Sequence, residues 1–452
     1  MKSAGKARNN GLYRHIRTSK EIIRNLLNDL YKNRKGDRLI SAILYLLTPF
    51  AFMANPLLFV VCVTAQLVLQ TFHGYRFSEL FVVLLLNGFV YSSVSFAGLR
   101  FYDWIIIFSF AYVFINKRGH VAIPVRLLIF ITSVFLVFLF HGMKTNEILE
   151  VVRYFVSILL IVVVLNTKPD MNLISESIIR ICKVTLYNAI IVFAMIQLGR
   201  VHNYMSSFIS TNVYIYSDEV RLNGFFSDPN KYMTFCLALL FIIDVFVENP
   251  TYKRNGILIL SIATVLSMSR TALLCLGLYF FVKLLLKLKE KSPVLFGCCI
   301  ITFSVVCILL LATPDIINSI INELYTLAAR VLGREHTLEI NATMKDDNRV
   351  YVWGKAIQFI SQKPFWGNGW LAYQSLLPYP THNTIVSLLL DGGAFVLTAY
   401  LYTFWPLFSN KRFGATISCV ILPMLLLDLG NYRVLFLLLA LIMLPSKGKA
   451  MQ

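Results

Sequence analysis

Long apolar runs separated by short polar breaks follow one another from residue 39 almost to the end of the chain. Because roughly 20 apolar residues cross a bilayer as a helix, the pattern predicts an all-α, polytopic transmembrane helical bundle with about 12–14 spans. The candidate spans are 39–54, 57–72, 77–94, 102–116, 123–140, 148–166, 184–199, 230–247, 256–268, 271–286, 293–312, 382–408, 413–428 and 433–445.

Two pairs of short runs are separated by only a pair of turn-forming residues. Asn55-Pro56 lies between 39–54 and 57–72, and Gly430-Asn431 lies between 413–428 and 433–445. Each pair is compatible with two short spans or with one kinked or re-entrant hairpin. The sequence leaves both alternatives open.

The composition excludes a soluble globular chain and gives the bundle an orientation. Of 452 residues, 57% are hydrophobic and 14% are charged. The formal net charge of +19 comes from 42 Lys and Arg against 23 Asp and Glu, and eleven of these basic residues lie within positions 1–38. Most of the others fall in alternate loops on the same side. We therefore expect cytoplasmic termini and no nucleic-acid partner.

Because successive loops alternate between the inner and outer faces of the membrane, the two long loops are both expected on the outer face. A helical scaffold can present reactive groups there. Ionisable residues inside the spans are few and are candidates for a functional interior. They are Arg153, Asp244, Asp391 and Asp428. The predicted parts of the chain are a basic cytoplasmic segment at 1–38, spans at 39–312 with an outer loop at 200–229, a large outer loop at 313–381 with an amphipathic helix at 349–363, C-terminal spans at 382–445, and a cytoplasmic tail at 446–452.

The first outer loop ends in the motif RLNGFFSDPNKY at 221–232. Asp228 followed by Pro229 predicts the N-cap and first turn of the next span, with Asn230 beside them, and this structural role is one full account of the motif. Arg221 stands in an otherwise apolar approach to the membrane. A guanidinium there suits a phosphate or a carboxylate.

A second cation follows in the short outer turn SMSR, where Arg270 begins the next span. An arginine at the membrane surface can simply anchor the helix by extending its charged head into water. The alternative is that Arg270 belongs to the same site as Arg221, because both lie on the predicted outer face. The sequence alone does not separate these alternatives.

The segment DDNRVYVWGKAIQFISQKP predicts an interfacial helix that begins near Arg349. Asp347 or Asn348 can cap this helix. Its apolar face is predicted to comprise Val350, Trp353, Ile357 and Ile360. An arginine at a helix N-terminus reinforces the anion-binding character of that terminus, which makes Arg349 a pyrophosphate candidate. The alternative is a charged residue on a solvated helix face.

The turn WGNGW and the segment PYPTHNTIVSLLLDGG precede the next span. Thr381 is the predicted N-cap, which would place His382 and Asn383 in the first turn at the outer surface. A histidine beside a helix N-terminus has its cationic form disfavoured, so a neutral His382 could accept a proton. A purely structural histidine is the alternative.

Taken in order, these motifs resemble the O-antigen polymerase and O-antigen ligase superfamily of bacterial envelope glycosyltransferases over about residues 220–395. The resemblance implies a multi-pass inner-membrane enzyme with a periplasmic active site and no metal or other cofactor. Such enzymes transfer a glycan from undecaprenyl diphosphate to a hydroxyl group. The resemblance implies that Arg221 and Arg349, with Arg270 as a further candidate, bind the donor pyrophosphate and that His382 assists the acceptor hydroxyl. Supporting roles fall to Asn383, Asp228, Asn230 and Trp353.

Three functions remain as alternatives within this picture. A polymerase adds the glycan to another lipid-linked repeat unit with inversion, and the modest outer loop and the span count favour it. A ligase passes the finished glycan to a lipid A core sugar or to a protein. A transporter of lipid-linked oligosaccharide would need charged or broken helices near the membrane midplane, where the sequence has few. The expected partners are the lipid-linked oligosaccharide, membrane lipid, a chain-length regulator and a flippase.

Overall fold

The computed structural model describes residues 34–71, 75–142, 145–198, 215–216, 219–220, 222–226, 228–267, 269–297, 301, 349–409, 416–427 and 429–444. Within these ranges the chain is predominantly helical, which confirms the all-α class. Two small antiparallel hairpins join β1 (Ser95–Phe96) to β2 (Leu99–Arg100) and β3 (Ile215–Tyr216) to β4 (Glu219–Val220). The helices are α1 Arg34–Ala54, α2 Pro56–Thr71, α3 Phe77–Val90, α4 Phe101–Asn116, α5 Val125–Phe140, α6 Thr145–Thr167, α7 Ser175–Gln197, α8 Pro229–Phe246, α9 Pro250–Leu266, α10 Arg270–Lys291, α11 Arg349–Gln362, α12 Tyr373–Leu376, α13 Thr384–Ser409, α14 Ser418–Leu426 and α15 Arg433–Ile442.

Two helices begin well before the spans that the sequence predicts for them. α7 begins at Ser175 rather than at 184, and α9 begins at Pro250 rather than at 256. Polar first turns hide both starts from a hydropathy pattern. In α7, Arg180 Nη2 lies 3.5 Å from Glu176 Oε1, one helical turn away. The basic segment at 1–33 and most of the predicted span 293–312 lie outside the described residues.

The lengths and surfaces of the helices are those of a multi-pass membrane protein. Within the described residues, α6, α7, α8, α10 and α13 are long and apolar enough to cross a bilayer, and α1–α5 and α15 are shorter apolar helices. Large apolar side chains also face outward, including Phe108 at 67%, Leu284 at 54% and Trp405 at 61% exposed. Apolar residues on both faces of a helix are typical of helices in lipid.

A buried hydrogen-bond network joins the first three helices. Gln70 Nε2 donates to Tyr45 Oη at 2.6 Å, and Tyr45 Oη donates to Asn87 Oδ1 at 3.1 Å. Asn87 Nδ2 donates in turn to Gln70 Oε1 at 2.9 Å. Interhelical side-chain hydrogen bonds of this kind hold helices together in lipid, where apolar burial between helices contributes little.

Short connections make neighbouring helices run in opposite directions. As a result, α3 ends where α4, α6, α8 and α15 begin, and the same end of the bundle holds the start of α13. We call this the cavity end, after the polar cavity that these helix ends line. α13 packs against α5 and α11, while α15 packs against α6.

Candidate functional site

The starts of α8 and α10 are in contact at the cavity end. Asp228 caps α8 as predicted, because its Oδ1 accepts from Asn230 N at 2.8 Å, and Pro229 occupies the first turn. Asn230 Oδ1 accepts from Ser269 Oγ at 3.2 Å. The end of the first predicted loop and the SMSR turn therefore lie side by side.

The start of α13 differs from the prediction by two residues. Asn383, not Thr381, is its N-cap: Asn383 Oδ1 accepts from Ile385 N at 2.9 Å and from Val386 N at 3.1 Å. Asparagine is a stronger N-cap than threonine, and Thr381 Oγ1 is occupied by the backbone oxygen of Asn383 at 3.2 Å. His382 therefore lies just outside the helix, half-buried, with a left-handed backbone at φ 49°.

Hydrogen bonds tie this histidine segment to two neighbours. Trp353 Nε1, on α11, donates to the backbone oxygen of Thr381 at 2.6 Å. On the other side, Asn383 Nδ2 donates to Leu425 O at 2.9 Å, and Thr384 Oγ1 donates to Leu427 O at 2.7 Å. The segment that carries His382 is thus held between α11 and the turn that joins α14 to α15.

We expect Asn383→Ala to lower the free energy of unfolding by about 2 kcal/mol, because it removes a helix cap and the bond to Leu425. Asn383→Ser keeps a capping oxygen and loses only the amide donor, so about half of that loss is expected. Thermal unfolding of the detergent-solubilised variants measures both effects. Equal losses for the two variants would argue against the cap.

The buried face of α11 overlaps the predicted one, because Trp353 bonds to Thr381 O and Ile360 packs inward. The helix runs over Arg349–Gln362, but it buries Val352 and Ala356, while Ile357 is 59% exposed. Val352 and Ala356 pack in a small cluster with Leu390 of α13. The helix is therefore rotated about its axis from the predicted orientation, and this rotation is set by its contact with α13.

A break in α13 receives the glycine-rich loop that precedes it. Gly393 has φ 65° and ψ −169°, which interrupts the helix. The loop then bonds to the interrupted backbone: Asn368 N donates to Leu390 O at 2.8 Å, and Gly369 N donates to Asp391 O at 3.0 Å. Ala372 N donates to Asp391 Oδ1 at 3.1 Å. These hydrogen bonds therefore hold the loop that contains WGNGW against the LLLDGG segment of α13.

The structure describes the backbone, but not the side chains, of two of the three predicted site arginines. Arg221 lies outside the described residues. Arg270 and Arg349 are the first residues of α10 and α11, and their side chains also lie outside the described part of the structure. Their backbone positions agree with the prediction that each begins a helix.

A polar cavity of about 260 Å³ lies at the cavity end. Its wall includes the aromatic side chains of Tyr154, Tyr373 and Phe226. None of the predicted site residues whose side chains are described is among its lining residues. The charged lining residues are Arg100, Arg153, Lys231, Arg433, Asp103, Glu150 and Asp391.

An ion pair and a hydrogen bond join different helices around this cavity. Arg433 Nε donates to Asp103 Oδ1 at 2.8 Å, and both side chains are almost fully buried, with 5% and 2% exposed. Glu150 accepts from Arg153 Nη1 at 3.1 Å and from Asn431 Nδ2. The starts of α4 and α15 are thereby held together by an ion pair, and a hydrogen bond ties α6 to the turn before α15.

Tyr432 connects this cavity to the start of α8. Burial raises the pKa of its phenol well above the ordinary value. The hydroxyl therefore stays protonated at physiological pH, and it donates to Lys231 O at 3.0 Å. Because Lys231 follows Asn230, the cavity adjoins the junction of α8 with the SMSR turn.

Arg433→Met should lower the free energy of unfolding by about 3–5 kcal/mol, because it leaves the Asp103 carboxylate buried without its partner. Adding Asp103→Asn removes the uncompensated charge and should restore part of that loss. Chemical unfolding in detergent of the single and double variants provides the measurement. A double variant no more stable than Arg433→Met would refute this account of the pair.

One part of the chain matches a known protein family. A family model described as O-antigen ligase matches residues 256–401. This segment, less than half of the chain, is similar to the O-antigen ligase family. The resemblance seen in the motifs is thereby confirmed. No curated protein and no solved structure matches the chain.

The matched segment runs from α9 into α13 and contains Arg270, Arg349, Trp353, His382 and Asn383. The motif with Arg221, Asp228 and Asn230 precedes it. The match supports glycosyl transfer of the ligase or polymerase type. Among the described residues, no group of three His, Cys, Asp or Glu side chains is arranged to hold a metal ion.

Sequence reasoning largely missed the charged residues of this cavity. Arg153 and Asp391 were distinguishable as ionisable residues within spans. Asp103, Glu150 and Arg433 stand at the edges of apolar runs, where a charged residue usually marks the membrane surface. Only the packing of α4, α6 and α15 shows that these three side chains face one another.

Proposed function

We propose that this protein is a polysaccharide polymerase of the bacterial envelope. It transfers a glycan from undecaprenyl diphosphate to a sugar hydroxyl of another lipid-linked repeat unit. The donor is a polyprenyl-diphosphate-linked glycan, and the reaction is inverting and independent of metal. The family match supports the reaction type, and the choice of donor and acceptor is the proposal.

The observation that carries this proposal is the convergence of separate motifs at one end of the bundle. Asn230 contacts Ser269, and Trp353 contacts the segment that carries His382. The turn between α14 and α15 connects the two groups, because it bonds to Thr384 on one side and to Lys231 on the other. Arg270 and Arg349 begin helices that enter this assembly.

The chemistry needs cations and one base. The acceptor hydroxyl oxygen forms a bond to the anomeric carbon while the bond from that carbon to the diphosphate oxygen breaks, and the electron pair leaves with the diphosphate. Arginines are always charged and bind phosphate oxygens in a fork, so Arg221, Arg270 and Arg349 are suited to stabilise this leaving group. His382 takes the hydroxyl proton as general base. Attack in line with the leaving group inverts the anomeric configuration.

The starts of α10 and α11 add to the attraction of the diphosphate. A helix N-terminus presents free N–H groups and the positive end of the helix dipole, which favour an anion. An arginine as the first helical residue combines a full charge with these groups. This arrangement supports the proposed role for Arg270 and Arg349.

The distribution of basic residues gives the proposed orientation. The positive charge of the segment 1–38 is expected on the cytoplasmic side of the inner membrane, together with both termini. Counting spans from there puts the cavity end on the periplasmic side. A chain-length regulator and a flippase are the proposed functional partners in the same pathway.

A ligase is the second candidate, because the matching family model carries that description. The glycan profile of a strain that lacks this protein tests the choice. A polymerase predicts loss of long chains with single repeat units still attached to the lipid A core. Loss of all core-attached glycan would instead identify a ligase and overturn the proposal.

A further inference from the structure

Two guanidinium groups of the cavity have N–H groups without a partner. Within the described residues, Nη2 of Arg433 and Nη1 of Arg100 are buried and have no hydrogen-bond partner. Arg433 is only 4% exposed, and it is held in place because its Nε donates to Asp103 and its Nη1 to Asn431 O. A buried charged donor without an acceptor is costly, so these groups indicate a ligand that brings acceptor oxygens.

The carboxylates beside these groups are already occupied. Asp103 accepts from Arg433 Nε through Oδ1 and from Arg100 N through Oδ2. Glu150 accepts through both of its oxygens, from Arg153 and Asn431. Among the lining residues, the buried polar side-chain atoms without a partner are thus these two guanidinium N–H groups, and both are donors. The arginine forks match phosphate oxygens, and the ligand class that fits is a phosphate or a diphosphate.

The size and position of the cavity agree with such a headgroup. A drug-sized ligand usually occupies a pocket of about 300–1,000 Å³. At about 260 Å³, this cavity is smaller and suits a headgroup better than an oligosaccharide. It lies where helices begin and end, which is the level at which a membrane lipid carries its phosphates. An undecaprenyl chain could then remain in the bilayer.

The four cations of this cavity come from other segments than the predicted donor-binding arginines. Arg100, Arg153, Lys231 and Arg433 belong to β2, α6, α8 and α15. Arg221 precedes α8, and Arg270 and Arg349 begin α10 and α11. Two separate cationic sets suit a reaction that joins two lipid-linked substrates, since each substrate carries its own diphosphate.

We infer that the cavity of Arg100 and Arg433 binds the diphosphate of the lipid-linked acceptor. This inference rests on the proposed polymerase function. It assigns the acceptor lipid a site of its own, and Arg221, Arg270 and Arg349 remain with the donor. A ligase that uses a lipid A core sugar would have no need of this second diphosphate site.

Steady-state kinetics with full-length protein in nanodiscs test the inference. Two acceptors are compared, the lipid-diphosphate repeat unit and the same saccharide on an alkyl chain without diphosphate. In Arg100→Gln and in Arg433→Lys, the KM for the diphosphate acceptor should rise about tenfold, as expected for the loss of one charge-assisted hydrogen bond. The KM for the alkyl acceptor and the KM for the donor should stay unchanged. A rise in the donor KM instead would overturn the inference.

Binding of inorganic pyrophosphate provides a readout that does not depend on turnover. Pyrophosphate should raise the thermal unfolding temperature of the wild type and of Arg180→Gln, a control at the opposite end of the bundle. It should raise the temperature much less in Arg100→Gln and Arg433→Lys. Equal stabilisation of all four proteins would rule out an anion site in this cavity. If the wild type binds pyrophosphate here but makes no product, the polymerase proposal fails while the anion site stands.

Discussion

His382→Ala should reduce the turnover number by about 10²–10⁴, the usual contribution of a positioned general base. The KM for the donor should change little, because the proposed role of His382 is directed at the acceptor hydroxyl. Turnover of the purified variant with lipid-linked repeat units gives the result. The matched control is His120→Ala, which removes an exposed histidine from the turn between α4 and α5.

The position of His382 explains why this effect should be local. The residue stands immediately before the cap of α13, and its neighbours are fixed by bonds from Trp353 to Thr381 and from Asn383 to Leu425. These bonds use neighbouring backbone and side-chain atoms, so the imidazole can be removed while they remain. A variant that keeps wild-type turnover would remove His382 from the mechanism.

Gly393→Ala should strongly destabilise the fold, with a loss of at least about 3 kcal/mol in the free energy of unfolding. The backbone of Gly393 lies in a region that is essentially restricted to glycine. A Cβ atom there would lie 2.7 Å from Gly367 N and closer still to the carbonyl group of Phe365. The packing of the 364–372 loop against α13 would have to be disrupted to make room for it.

Gly277→Ala is the matched control for this prediction. Gly277 lies inside α10, and a Cβ atom at that position meets no other atom within 4 Å. Alanine in a helix interior is more favourable than glycine by about 0.5–1 kcal/mol, so this variant should be slightly more stable than the wild type. Thermal unfolding and the yield of folded protein in detergent compare the two. If Gly393→Ala matched Gly277→Ala in stability, the break in α13 would not need glycine.

The sequence predicted what local patterns encode. Apolar run lengths marked most helices, and the pair Asp228-Pro229 marked the start of α8. Where two local signals competed, the prediction failed. Thr381 and Asn383 are both capping residues, and only the hydrogen bonds that Asn383 Oδ1 accepts from Ile385 N and Val386 N show where α13 begins. The polar first turn of α7 was lost because a hydropathy pattern cannot distinguish it from a loop.

Long-range contacts account for the remaining differences. Arg433 and Asp103 are far apart in the chain, and nothing local to either residue shows that they form a buried pair. The face of α11 was predicted only in part for the same reason, since its rotation follows from packing on α13 rather than from its own periodicity. The motifs WGNGW and LLLDGG were recognised separately, but the contact between them at Gly393 depends on the tertiary fold.

The most direct test of the proposed polymerase is reconstitution of the purified protein in liposomes with one defined undecaprenyl-diphosphate repeat unit. The products are glycans of two or more repeats that remain linked to lipid diphosphate, with one undecaprenyl diphosphate released for each new bond. A chelator of divalent metal ions should not change the yield. Movement of repeat units across the membrane without longer glycans, or elongation that stops when the chelator is added, would contradict this account.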